Sequence, residues 1–299
     1  AARAAGKLVL PPWGMLTGVR PDKPVTWALM EGKSPEEAKA YLKAHYFVPE
    51  ERAALALETG IVGYQARKRL AARDIDLYVG IPFCPTRCAY CSFVSADVGR
   101  TLKLVEPYLQ LLLEEVDATG RALREAGLTV RSFYMGGGTP TTLSADQMDR
   151  LLTHLNRSFD LSGCVEYCIE AGRPDTITAE KLAVLARRGC SRVSVNPQTM
   201  QDAVLERMGR AHRADDIATA IRISKEFGLK CVIVHGTEGH LLPELLAAEG
   251  IPVITGPSLG DRSKPELRNM TIENPAILAR AGVKVAICTD HPETPIQYL

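Results

Sequence analysis

Cys84-Pro85-Thr86-Arg87-Cys88-Ala89-Tyr90-Cys91 sets three thiols in one short segment at C-x3-C-x2-C spacing. Three thiolates this close in the chain can wrap one face of an iron–sulfur cluster, because cysteine sulfur is the usual protein ligand of such clusters. A closed structural zinc site takes a fourth ligand, and no further Cys or His follows in the local segment. An iron without a protein ligand can bind a substrate or cofactor directly. A zinc site, or simply buried thiols, are the alternatives for the same residues. Cys164, Cys168, Cys190, Cys231 and Cys288 lie in or beside apolar runs, where a free cysteine behaves as a small buried hydrophobe.

Other residues with chemical potential follow at intervals. Gly136-Gly137-Gly138-Thr139-Pro140 offers backbone N–H groups and a surface without Cβ, suited to cradling a polar cofactor end. Glu170 and Gln198 each sit at or just past the end of an apolar run, and a carboxylate or amide there can bond amine and ribose groups. Arg210 supplies a planar fork able to pair with a carboxylate.

These residues need a scaffold. From Asp76 onward short apolar runs alternate with amphipathic stretches: Leu77 to Ile81, Ser132 to Met135, Val165 to Ile169, Arg192 to Val195, Lys230 to Val234, Val253 to Thr255 and Val285 to Cys288. The spacing predicts βα repeats. Ser144-Ala145-Asp146-Gln147 is a capping box followed by Met148, Leu151, Leu152 and Leu155 at helical spacing. Thr178 caps a helix closed by Gly189, and Asn274-Pro275 reads as a further cap. The expectation is an α/β fold of parallel βα repeats forming a partial (βα) barrel, with chemistry at the C-terminal strand ends. Residues 1–72 read as an N-terminal helical appendage, with Ser34-Pro35-Glu36-Glu37 starting one of its helices.

The chain has 299 residues, 46% hydrophobic and 24% charged, which excludes wholesale disorder and low-complexity polymers. A net charge of +1 gives no global field for nucleic acid or an anionic membrane. No apolar run approaches the roughly 18 residues of a spanning helix, and the opening residues lack a signal-peptide core, so a cytoplasmic location is expected. The chain opens on Ala1 and stops at Leu299 just past an apolar run, so truncation at either end is open.

Tyr78-Val79-Gly80-Ile81-Pro82-Phe83-Cys84 through Cys91-Ser92-Phe93 resembles the cluster loop of radical S-adenosylmethionine (SAM) enzymes, in their oxygen-independent coproporphyrinogen III dehydrogenase-like branch. The resemblance implies a [4Fe-4S] cluster on Cys84, Cys88 and Cys91, whose open iron chelates the amino and carboxylate groups of SAM. Electron transfer then cleaves the sulfonium and yields a 5′-deoxyadenosyl radical. It further implies that Gly137, Gly138 and Thr139 contact the methionine portion, and that Tyr78, Tyr90, Glu170, Gln198 and Arg210 surround the cofactor. The family reaction abstracts hydrogen from a porphyrinogen propionate, and loss of CO2 leaves a vinyl group in haem biosynthesis. A porphyrinogen substrate and an electron donor are therefore the expected partners. A non-catalytic iron–sulfur or haem carrier is the alternative. Pro12 through Ser34 resembles the same branch.

Past residue 211 the likeness changes. Ala211 to Ile217, Val234 to His240 and Cys288 to Pro292 resemble later strands of a metal-dependent amidohydrolase, in which His212, His235 and Asp290 would correspond to metal groups. The His-x-His pair of that family is absent, so its metal set is incomplete. The expected organisation is a helical region at 1–72, a radical SAM half-barrel at 73–211 and an amidohydrolase-like tail at 212–299, joined near 209–217. An amidohydrolase fragment is a further alternative.

Overall fold

Leu77, Val79 and Ile81 alternate with Tyr78 and Gly80 along the first strand of the computed structural model. That period of two separates an apolar face from a polar one. The structure describes residues 11–17, 20–89, 91, 95–198, 202–207, 209–211, 213–256 and 269–288. Its strands are β1 (Asp74–Ile81), β2 (Phe83–Cys84), β3 (Ala96–Asp97), β4 (Thr129–Gly137), β5 (Glu166–Glu170), β6 (Arg192–Val195), β7 (Lys230–Val234), β8 (Val253–Thr255) and β9 (Val285–Ile287). Seven form one sheet in the order β1-β4-β5-β6-β7-β8-β9, and all its pairs are parallel. Spatial order follows chain order, as in a rolled βα sheet, and β1 and β9 are its two ends; the barrel is partial, as expected. The two short strands β2 and β3 pair separately.

The helices are α1 (Lys23–Met30), α2 (Pro35–Tyr46), α3 (Glu50–Lys68), α4 (Val98–Ala126), α5 (Ala145–Ser158), α6 (Ala179–Arg187), α7 (Asp202–Arg207), α8 (Ala214–Glu226), α9 (Pro243–Ala248) and α10 (Asn274–Arg280). The described residues fall into two compact units, one up to Ala72 and one from Arg73 to Cys288. In the first, Trp13, Val25, Leu29, Leu42 and Ala56 build a core among α1, α2 and α3. Ser34 caps α2 as read, with Pro35 in the first turn, and Glu37 completes a reciprocal cap with it.

In the second unit α4, α5 and α6 cover one face of the sheet. Val105, Leu109, Leu112 and Val116 meet Phe133, Met135 and Ile169 in a single apolar cluster. Ser144 and Gln147 complete the reciprocal cap of α5. Thr178 accepts from the Lys181 amide to cap α6, and Gly189 follows that helix at φ 93°. Asn274 corrects the sequence reading. The N-cap of α10 is Glu273, and Asn274 Nδ2 instead donates to Gly236 O (2.9 Å) and Thr255 Oγ1 (2.6 Å), while Asn274 Oδ1 accepts from the His240 amide. Its amide is committed to the strand-end loops, which a cap pattern in sequence does not reveal.

The sheet also carries polar side chains paired between neighbouring strands. Ser132 Oγ donates to Asp76 Oδ1 (2.5 Å), Arg192 pairs with Glu166, and the Tyr134 hydroxyl donates to Glu170. The expected join near 209–217 lies between β6 and β7, and these strands pair through Arg192↔Lys230, Val193↔Cys231, Ser194↔Val232 and Val195↔Ile233. Among the described residues no helix is long and apolar enough to cross a membrane.

Gly120 lets α4 approach α5: a Cβ there would lie 2.5 Å from Ser158 O, which also accepts from Arg124 Nη1. Gly120→Ala is therefore expected to destabilise the protein by about 1–3 kcal/mol despite the better helix propensity of alanine. Urea unfolding measures this, and an unchanged or higher midpoint would contradict the packing described.

Candidate functional site

Pro82 breaks the ladder after β1, and the chain turns into β2, whose pairing with β3 closes the base of the cysteine loop. The Ala96 amide donates to Pro82 O at 2.8 Å, and the Cys91 amide to Cys88 O at 3.1 Å. Cys84 is buried, Cys88 and Cys91 are half-buried, and all three are free thiols. Their chemistry suits three-thiolate ligation of a cluster. Among the described residues no three His, Cys, Asp or Glu side chains converge on a metal position. The loop is thus anchored at its base without its sulfurs being drawn onto a common point. Tyr90 lies outside the described residues.

The glycine segment sits directly against this loop. Gly138 N donates to Ile81 O and Thr139 N to Phe83 O, both at 2.8 Å. These amides are spent on the loop backbone, which corrects the expectation that the segment offers them to a ligand. A Cβ at Gly138 would stand 2.7 Å from Phe83 O, and Gly137 holds φ 108°. Thr139 then brings its hydroxyl to 3.4 Å from Cys84 Sγ. Burial pushes the Cys84 thiol up, and hydrogen bonds from Thr139 and Ser95 and the charge of Arg173 oppose it.

Glu170 ends β5 beside Gly136, where a Cβ would come within 3.0 Å of Glu170 Oε2. Burial raises its pKa; the Tyr134 hydrogen bond and His235 pull the other way without prevailing. Tyr134, half-buried and bonded to this carboxylate, is held well above the usual phenol range by desolvation and by that bond. Tyr78 stacks on Tyr134 with ring centroids 6.1 Å apart, and it is 60% exposed, so it lines an open face. Gln198 has a left-handed backbone at φ 69°, a costly conformation for a non-glycine residue, and its carbonyl accepts from Thr237 Oγ1. Arg210 Nη1 donates to Asn196 O (2.7 Å) and Gly172 O (3.4 Å). Arg210 Nε and Asn196 Oδ1 are buried with no partner. A buried donor and a buried acceptor without partners fit a ligand carrying both carboxylate and amine or hydroxyl groups.

Sequence reading missed three residues of this region. Tyr134 buttresses Glu170, Asn196 supplies the orphaned acceptor, and Arg173, only 1% exposed, bonds Thr86 inside the cysteine loop. Strand alternation placed Tyr134 on the Glu170 face; nothing local marks the other two. Of the remaining cysteines Cys168, Cys190 and Cys231 are buried, with burial pushing Cys190 and Cys231 up to about 12, and Cys164 and Cys288 are half-buried. Of the tail candidates, His212 and Asp290 lie outside the described residues. His235, at φ 55°, places Nδ1 3.3 Å from Gly256 O.

The sequence profile of the Radical SAM superfamily matches residues 78–243, crossing the expected join. The oxygen-independent coproporphyrinogen-III oxidase-like protein HemZ of Bacillus subtilis is 38% identical over 226 residues, covering 73% of this chain and 44% of that protein. The heme chaperone HemW of the same organism is 35% identical over 175 residues, covering 56% and 44%. The matched part thus spans less than half of these curated relatives. Coproporphyrinogen III oxidase HemN from Escherichia coli shares the fold, with TM-score 0.55, 23% identity, and coverage of 75% of this chain and 54% of that one. An amidohydrolase from Thermotoga maritima is 38% identical over 41% of this chain and 29% of its own, with TM-score 0.30, a superposition too poor to support an argument about the tail.

Two outcomes follow from the electrostatics. In iron-free protein near pH 8, iodoacetamide should modify Cys84 roughly tenfold more slowly than Cys88 or Cys91, as read by mass spectrometry; fastest reaction at Cys84 would refute its burial. For Glu170, a folded pKa above the unfolded value means that folding favours the proton, so stability declines as pH rises from the ordinary carboxylate range through the raised value. Glu170→Gln keeps an acceptor for Tyr134 and removes that penalty. Its Tm should exceed wild type by a few degrees at about pH 7, with the gain vanishing near about pH 4.

Proposed function

Because the chain belongs to the radical SAM superfamily, whose profile spans more than half of it, we propose that it is a HemN-like oxidoreductase acting on a porphyrinogen propionate, with Cys84, Cys88 and Cys91 as cluster ligands. Supporting this reading most directly, the Cys84 thiol is fixed beneath Thr139 at the same strand ends as Glu170 and Arg210. When bound, the cluster and SAM supply reductive cleavage of the sulfonium and abstraction of a hydrogen atom.

The protein's own groups bind and orient. Glu170 is ready to accept hydrogen bonds from the ammonium of SAM. Burial raises its pKa, and an arriving cation would oppose that shift and favour the carboxylate. The unpartnered Arg210 Nε is a donor for the carboxylate, and Asn196 Oδ1 an acceptor for an amine or hydroxyl. Gly137, Gly138 and Thr139 shape the wall beside the methionine portion, Tyr78 offers a ring face, and Gln198 sits at the β6 end of the same mouth. The porphyrinogen substrate and an electron donor are proposed on the likeness to HemN and HemZ.

Cluster and haem binding without turnover is the second reading, favoured by the 35% identity to a protein named a heme chaperone. Residues 212–288 are read as completing the sheet, with no second metal centre assigned.

Anaerobic reconstitution separates these readings. Wild-type protein is expected to take up iron and sulfide and, on reduction, to convert SAM to 5′-deoxyadenosine. Cys88→Ala should lose both the cluster spectrum and turnover. A full cluster without SAM cleavage would leave the carrier, and unchanged iron in Cys88→Ala would overturn the ligand assignment. Stoichiometric zinc lost on His235→Ala would revive a hydrolytic tail.

A further inference from the structure

Gly172-Arg173, after β5, and Gly209-Arg210, after α7, are two Gly-Arg dipeptides that clasp each other. Arg173 Nη2 donates to Gly209 O at 3.3 Å, and Arg210 Nη1 donates to Gly172 O at 3.4 Å. Each guanidinium thus holds the carbonyl that precedes the other. Arg173 reaches further: its Nη1 donates to Thr86 O (3.0 Å) and Thr86 Oγ1 (2.9 Å), and Thr86 Oγ1 in turn donates to Gly209 O. Arg173 Nε and Nη2 meet the Asp175 carboxylate at 3.3 and 3.5 Å. Among the described residues Arg173 heads the largest fully buried side chains.

A buried guanidinium is expensive to desolvate, and an apolar side chain of similar volume would often do as well for stability alone. What no apolar side chain could do is hold three backbone segments at once with a rigid fork of five donors. Thr86 lies between Cys84 and Cys88, and Gly209 immediately precedes Arg210. We propose that Arg173 is a positioning residue that locks the cysteine loop to the Arg210 turn, so that the cluster ligands and the carboxylate-binding guanidinium keep one register. It acts through Thr86 and Gly209. The inference rests on the cofactor site proposed above. It adds that the two halves of that site are mechanically joined, so ordering of one favours the other.

Arg173→Lys retains the charge and loses the fork. In anaerobically reconstituted protein its iron content should stay near wild type. SAM affinity by calorimetry should fall about 10- to 100-fold, the loss typical of removing a partner that orients a ligand, and SAM should perturb the electron paramagnetic resonance spectrum of the reduced cluster less. Thr86→Val should shift affinity in the same direction, and the double variant should be less than additive. In the iron-free proteins, hydrogen exchange should show peptides across 84–91 and 205–211 losing protection together while α5 keeps its own. Wild-type affinity with unchanged loop protection in Arg173→Lys would overturn the proposal, as would loss of protection across the whole sheet. If wild type itself takes up no iron, the cofactor reading falls, and the exchange pattern still decides whether the clasp exists.

Discussion

The cysteine loop can stand where it does because residues 136 to 138 carry no Cβ. Two backbone hydrogen bonds of 2.8 Å draw the glycine segment onto Ile81 and Phe83, and side chains at Gly138 or Gly136 would collide with the Phe83 carbonyl or with Glu170. Close backbone approach here replaces the ladder that stops at Pro82. The same contact sets Thr139 over Cys84 and leaves Glu170 room at the end of β5. A cysteine loop fixed this way needs little regular structure of its own beyond the short β2–β3 pair at its base.

Charge is handled differently on the two sides of that contact. Arg173 is deeply buried and fully occupied by carbonyls, a hydroxyl and Asp175, which is the condition under which a buried cation is tolerable. Glu170 has one strong donor, Tyr134, and burial outweighs it. Arg210 is intermediate: two carbonyls take one of its amino groups while Nε is left over. Arg173 is thus satisfied within the protein, whereas Arg210 keeps one buried donor without a partner.

Beyond the expected join, β7, β8 and β9 continue the parallel order begun by β1. Val195, Ile221, Ile233, Leu246 and Leu278 form one apolar cluster that draws on both sides of the expected join. Any βα unit with an apolar strand and an amphipathic helix can extend such a sheet, because the packing demands volume and period rather than a particular chemistry. Asn274 and His240 tie the strand-end loops of this part to each other.

Period and punctuation were legible in the sequence. The seven sheet strands fall where the apolar runs put them, the cap at Ser34 and the capping box at Ser144 form as written, and the cysteine spacing, glycine triplet, Glu170 and Arg210 collect at one end of the sheet. These are local properties, fixed by residues a few positions apart. Tertiary structure alone decided that the amides of Gly138 and Thr139 serve the loop, that Asn274 bonds distant strand ends in place of its own helix, and that Arg173 joins segments separated by 87 and 36 positions. Hydrogen-bond partners this far apart leave no periodic trace, since their pairing is set by how the strands roll together and by the need of buried polar groups to find whichever donor or acceptor the fold brings near.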